Sequence, residues 1–186
     1  CVKCGAPLYE YDHIVEYSVV QEHTADNITL LCSSHHDIHS RGQLPIQVLR
    51  SWDSAPVNRQ AATTAEHPLF YFGAAAEVIA GGNRIAMSSS ASAIVIDDHS
   101  LVGFELIDGV MHLNVDLVDS TGSALLRVVR NELVHSTEAW DVTYVGTRLT
   151  LRKGPGEMLI SIDFDAPNGR VVVDRGLVSH NGVEVL

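Results

Sequence analysis

A chain of 186 residues with 46% hydrophobic and 19% charged residues is neither disordered nor a miniprotein, and it can bury one or two cores without a disulfide framework. No apolar run approaches the roughly 20 residues that a bilayer span needs, which predicts a soluble protein with no membrane partner. The formal net charge of −11 opposes a phosphate-gripping surface, so any nucleic-acid function has to rest on particular residues rather than on composition.

The chain opens on Cys1-Val2-Lys3-Cys4, without the charged start, apolar stretch and cleavage site of a secretory signal, and a reducing, cytoplasmic setting is expected. Residues 8–17 and 28–31 are short β-prone runs separated by the polar stretch 21–27, which predicts a hairpin or an irregular loop. Ser33 and Ser34 offer an N-cap for a helix over 35–40, and Gly42 stands where that helix ends. Pro45 fits the first turn of a second helix, in which Ile46 and Leu49, with Val48 and Trp52, share a face. These elements form a first domain over residues 1–53. Residues 54–66 lose periodicity and are expected to be a linker.

From 67 to 186 apolar residues alternate with period two between turn signals at Gly81-Gly82-Asn83, Asp108-Gly109, Ser120-Thr121-Gly122, Gly146, Lys153 to Gly156, Asn168-Gly169 and Asn181-Gly182. A mainly antiparallel all-β domain, rolled, sandwiched or closed into a barrel, follows. Loops this short leave no room for crossover helices between parallel strands. The fold class is therefore α+β. In this half His99, His112, His135 and His180 show no ligand spacing, Trp140 and Phe164 are core candidates, and Asp97-Asp98 fits a turn better than a calcium loop.

Sulfur and imidazole are concentrated at the other end. All three cysteines and five of the ten histidines fall within the first 39 residues. Cys1 and Cys4 form a C-x-x-C pair, and Cys32 and His35 form a C-x-x-H pair at the same internal spacing. Two-residue spacers let each pair converge on one ion, and two such pairs complete the tetrahedron of a structural Zn2+. A redox reading of the C-x-x-C would want a βαβ unit beside it, which this pattern lacks.

Asp12-His13-Ile14-Val15, then Asp26-Asn27-Ile28, then Leu30-Leu31-Cys32, His35-His36, Ile38-His39 and Gly42 follow in an order that resembles the HNH endonuclease family over about the first 50 residues. The resemblance implies a ββα-metal fold braced by a zinc knuckle of Cys1, Cys4, Cys32 and His35. It implies His13 as the general base that activates water, and Asp12 and His36 as ligands of a catalytic divalent ion, Mg2+, Mn2+ or another. Asn27 takes the middle asparagine position, fixing the loop or orienting the base. His39 and Arg41 are candidate phosphate contacts, whereas His23 has no motif role and is expected to be solvated. Two positions depart from the family pattern: Glu16 stands where a proline often follows the base, and residues 18–25 lack the usual glycine pair.

Phosphodiester hydrolysis needs an activated water, compensation of charge at phosphorus and help for the leaving oxygen, and one histidine with one metal supplies all three. The expected function is a metal-dependent endonuclease acting on DNA, RNA being the less favoured substrate. The β-domain would serve targeting, regulation or assembly, as a homo-oligomer or with a protein partner. The alternative is a noncatalytic interaction module, stapled by zinc, with a vestigial site.

Overall fold

The computed structural model describes residues 1–69, 73–119, 121–139, 141–176, 178–180 and 183–185. Trp140, Ser120 and the Asn181-Gly182 dipeptide, singled out above, lie outside the described residues. The chain divides into two compact units, Cys1–Ala65 and Glu66–Leu186. Among the described residues no helix is long and apolar enough to cross a membrane.

In the first unit β1 (Glu10–His13) pairs antiparallel with β2 (Ile28–Leu31), in a register running from Glu10 opposite Leu31 to His13 opposite Ile28. The β-prone run 8–17 does not continue as strand: Tyr17 begins a single turn of helix, α1 (Tyr17–Val20), which ends at Gln21 in the left-handed region with φ 55°. Helix α2 (Ser33–Ser40) starts two residues earlier than the serine pair implies. The reason is that Cys32, with extended dihedrals, takes the N-cap position itself, and its carbonyl accepts the His36 N–H at 2.8 Å. The C-terminus of α2 is closed by a Schellman arrangement: Gly42 (φ 67°) donates to His39 O at 2.8 Å and Gln43 donates to Ile38 O at 3.0 Å.

Helix α3 (Ile46–Ser54) begins directly after Pro45. It buries Leu49 and rests Trp52 on the core, but Ile46 and Val48 face solvent, so its apolar face is narrower than the spacing predicts. Cys1, Val2, Ile14, Leu31, Leu44 and Leu49 make up the small core. Residues 54–66, expected to be a linker, run back along the N-terminal loop: Val57 N–H donates to Val2 O at 3.0 Å and Ala65 N–H to Gly5 O at 2.9 Å.

The second unit contributes β3 (His67–Pro68), β4 (Ala76–Ala80), β5 (Asn83–Met87), β6 (Ala91–Ile96), β7 (His99–Ile107), β8 (Val110–Val118), β9 (Ala124–Val129) and β10 (Glu132–His135). It continues with β11 (Asp141–Val145), β12 (Arg148–Gly154), β13 (Glu157–Asp165), β14 (Arg170–Gly176), β15 (Val178–His180) and β16 (Val183–Val185). One sheet runs β16-β15-β8-β9-β10-β3, with β7 also on β8 and β6 on β7; the other runs β11-β12-β13-β14-β4-β5. Alternation is strict in β8, where Met111, Leu113, Val115 and Leu117 are buried, and Phe164 is buried in β13.

All pairings but one are antiparallel among the described strands. The exception is β14 with β4, parallel from Arg170 opposite Glu77 to Val173 opposite Ala80. It needs no crossover helix, because the whole intervening chain, and not a single loop, separates the two strands. Asp97 and Asp98 hold left-handed dihedrals in the β6–β7 turn, as do Arg130 and Asn131 between β9 and β10. The second turn lacks glycine and is not signalled by sequence.

Leu49 is the fully buried residue of α3 and part of the first unit's core. Leu49→Ala should therefore cost about 2–5 kcal/mol, read as a lower urea midpoint and faster amide exchange across Cys1–Ala65 with the β-sheet unit unchanged.

Candidate active site and metal centre

The N-terminal loop lies against β2 through Val2 N–H donating to Leu30 O at 2.8 Å, which sets Cys1 and Cys4 beside the β2–α2 junction. There Cys32 is the N-cap and His35 lies in the first turn of α2. One donor atom from each of Cys1, Cys4, Cys32 and His35 falls within 4.8 Å of every other. A tetrahedron with Zn–S near 2.3 Å and Zn–N near 2.0–2.1 Å has S···S edges of about 3.8 Å and S···N edges of about 3.6 Å. The observed separations are 3.8 Å for Cys4 Sγ to Cys32 Sγ, 3.5 Å for Cys1 Sγ to His35 Nδ1 and 3.2 Å for Cys32 Sγ to His35 Nδ1. The donor set fits zinc. Burial, reinforced by the adjacent Cys32, pushes the Cys4 thiol up, and a cation at the centre of the group reverses that preference by stabilising thiolate. Trp52 covers His35 edge-on at 5.6 Å between ring centroids, and Lys3 sits 5.1 Å over the Trp52 ring.

Because side chains alternate along a strand, Glu10 and Asp12 share one face of β1. That face meets α2, whose His36 and His39 are three residues apart and so project to one side. Asp12 Oδ2 is 2.7 Å from His39 Nδ1, and Asp12 Oδ1 is 3.6 Å from His36 Nε2. Glu10 Oε2 lies 3.8 Å from the other nitrogen of His36, Nδ1. His39 is only 6% exposed. Its imidazole is directed inward onto Asp12, where a solvated helix face or an open phosphate contact was the expectation. Arg41, the other candidate phosphate contact, is exposed and paired with Asp37 at 2.9 Å one turn back on α2.

His13 turns the other way. Its Nε2 is 3.0 Å from His23 Nδ1, and the Tyr17 ring stacks on His23 at 4.7 Å and 16°. His23 is exposed, as expected, and it is held in a cluster with His13. Asn27 is buried, and its side chain is committed to the backbone of Val15: Oδ1 accepts the Val15 N–H at 2.8 Å and Nδ2 donates to Val15 O at 2.9 Å. With Ile14 N–H donating to Asn27 O at 2.9 Å, these bonds extend the β1–β2 ladder past its last rung and fix the chain just beyond His13.

Motif reading does not reach Glu10 or the pairing of His23 with His13. Glu10 carries a signal, two residues before Asp12 on the same strand face; His23 carries none. His39, named by the motif, meets Asp12 from a position three residues after His36 on the same helix face. In the second unit His99 and His180, distant in sequence, stack at 4.3 Å, with His99 Nε2 3.1 Å from Asp116 Oδ2. The antiparallel order β7-β8-β15 brings them together.

Residues 1–42 match the model of the HNH endonuclease family, and this segment is an HNH endonuclease domain. No curated protein and no solved structure matches the chain. Such a domain implies a nuclease, with nucleic acid as substrate.

If the four-donor group holds the first unit together, the purified protein carries about one zinc per chain, and Cys4→Ala removes it and unfolds Cys1–Ala65 while the β-sheet signal persists. Elemental analysis with circular dichroism checks this; a Cys4→Ala protein that kept both its zinc and its fold would exclude the knuckle.

Proposed function

We propose that the HNH endonuclease domain at residues 1–42 makes this protein a divalent-ion-dependent DNA endonuclease in which His13 is the general base and Asp12, His36 and His39 hold the catalytic ion. The observation that carries this reading is the Asp12 carboxylate, set between two helix imidazoles and directly adjacent in sequence to His13.

His13 takes a proton from water as the water oxygen bonds to phosphorus, and the P–O3′ bond breaks with its electron pair leaving on O3′. Asp12, His36 and His39 offer oxygen and nitrogen donors, a set suited to Mg2+, Mn2+ or a later transition metal, and the bound ion supplies charge compensation at the phosphate and the leaving oxygen. Glu10 faces the far nitrogen of His36 and orients that ring, the arrangement by which outer carboxylates hold ligating histidines. Asn27 acts through the backbone: by pinning Val15 it fixes the direction in which His13 leaves the strand. A zinc ion in the knuckle is structural, since four protein donors leave no open position. Its thiolates suit a reducing cytoplasm. The β-sheet unit carries targeting or assembly, consistent with the chain's acidic balance.

The test is cleavage of supercoiled plasmid by the full chain with Mg2+, Mn2+ or Ni2+. Wild type should nick it, and His13→Ala should lose at least about 100-fold in rate while keeping both ions. Asp12→Ala should lose cleavage together with the second ion but keep its zinc. A zinc-loaded wild type that cuts no DNA with any of these ions would overturn the nuclease and leave a zinc-stapled interaction module.

A further inference from the structure

We infer that His23 is a positioning residue for His13: it holds one ring nitrogen of the base and thereby fixes both the ring's orientation and its tautomer. The inference rests on the nuclease reading and adds to it a residue outside the HNH motif. Three observations carry it. His13 Nε2 and His23 Nδ1 are 3.0 Å apart, a hydrogen-bond distance between two ring nitrogens. Tyr17 stacks on His23 almost parallel and lies tilted against His13 at 5.4 Å between centroids, so the three rings form one group. The third is the route of the chain between them.

At Glu16 and over residues 18–25, where the chain departs from the family pattern, it forms α1 and then reverses at Gln21 in the left-handed region. The turn of helix supplies Tyr17, and the reversal returns His23 over His13. The two departures thus build one structure, a loop that presents a second imidazole to the first.

The chemistry follows from counting hydrogens. A neutral imidazole has one N–H and one lone pair, so a bond between His13 Nε2 and His23 Nδ1 requires one nitrogen to donate and the other to accept. With the hydrogen on His13 Nε2 and the lone pair on His23 Nδ1, His13 Nδ1 keeps the lone pair a base needs. When His13 Nδ1 takes the proton of the attacking water, the ring becomes an imidazolium. Its Nε2–H then donates to His23 in a charge-assisted bond, stronger than the neutral one. No proton need leave the pair during that step. The bond therefore strengthens as the reaction proceeds, which lowers the barrier without tightening substrate binding.

Two measurements on the full chain test this. In single-turnover plasmid cleavage, His23→Ala should reduce the rate constant about 10- to 100-fold, the usual cost of losing a partner that orients an active-site histidine, with the DNA concentration at half-maximal rate changed less than about twofold. His23→Asn places an amide oxygen near the site of Nδ1 and should recover most of the loss. Long-range 15N–1H spectra of the imidazoles supply a readout that needs no activity: His13 should be a single Nε2–H tautomer in wild type and a mixture in His23→Ala. Wild-type cleavage by His23→Ala, or an unchanged His13 tautomer, would overturn the inference. A loss seen as weaker DNA binding that Asn fails to rescue would overturn it too, making His23 a substrate contact. If wild type itself does not cleave, the nuclease reading fails, and the tautomer alone then decides whether the two rings are bonded.

Discussion

The convergence of Cys1, Cys4, Cys32 and His35 on one point is the constraint from which the first unit's geometry follows. The buried core there is six residues, two of them in the N-terminal loop itself, a small core for a unit of 65 residues and one that a bound metal would reinforce. The four donors tie that loop to the β2–α2 junction at tetrahedral spacing, and residues 57–65 then pack back on the loop through Val2 and Gly5. Cys32 does two things at once. As N-cap it fixes the first residue of α2, and as a donor it fixes where that helix starts in space. His36 follows one turn later and His39 at the end, where the Gly42 turn closes the helix. The position of Cys32 thus goes with the phase of α2, and that phase brings both imidazoles to Asp12.

The hairpin supplies the other half of the site. Period-two alternation puts Glu10 and Asp12 on the face toward α2, and His13 takes the next direction, toward Tyr17 and His23. Adjacent residues thus meet different neighbours because a strand alternates its side chains. The Asn27 side chain then keeps the chain beyond His13 in extended register for one more residue, so that α1 begins from a defined point. The site is organised in layers: the N-terminal loop meets the start of a helix, the helix meets a strand, and the strand separates Asp12 from His13.

Much of this is legible in the sequence, and the gaps have physical causes. The knuckle pairs are readable because ligand spacing is local, and Gly42 is readable because only a residue at ease with positive φ closes a helix that way. The extent of β1 is not, since the run 8–17 has strand composition throughout, yet Tyr17 is taken into α1 by the loop's reversal. Ile46 has the right spacing to join Leu49 but is exposed, because the core is too small to cover two helical turns. The inward turn of His39, a candidate phosphate contact, and the pairing of the exposed His23 have no local signal; their partners are Asp12, 27 residues away, and His13, across a loop. The parallel pairing of β4 with β14 and the stacking of His99 on His180 depend likewise on strand order, which no window of sequence contains.

Charge decides how such a site can hold nucleic acid. Residues 1–65 contain four lysines and arginines, Lys3, Arg41, Arg50 and Arg59, against seven acids, and Lys3 lies on Trp52 while Arg41 is paired with Asp37. Arg50 and Arg59 remain exposed, a small basic surface against a phosphate backbone, and the second unit is more acidic still. On the proposed reading, positive charge at the scissile phosphate would come from a cation held at Asp12, His36 and His39 more than from a basic field spread over the domain. In such a site the same ion would serve binding and catalysis, so the acidic balance that first appears to argue against a nuclease would instead make its grip on the substrate depend on the occupancy of a single metal site.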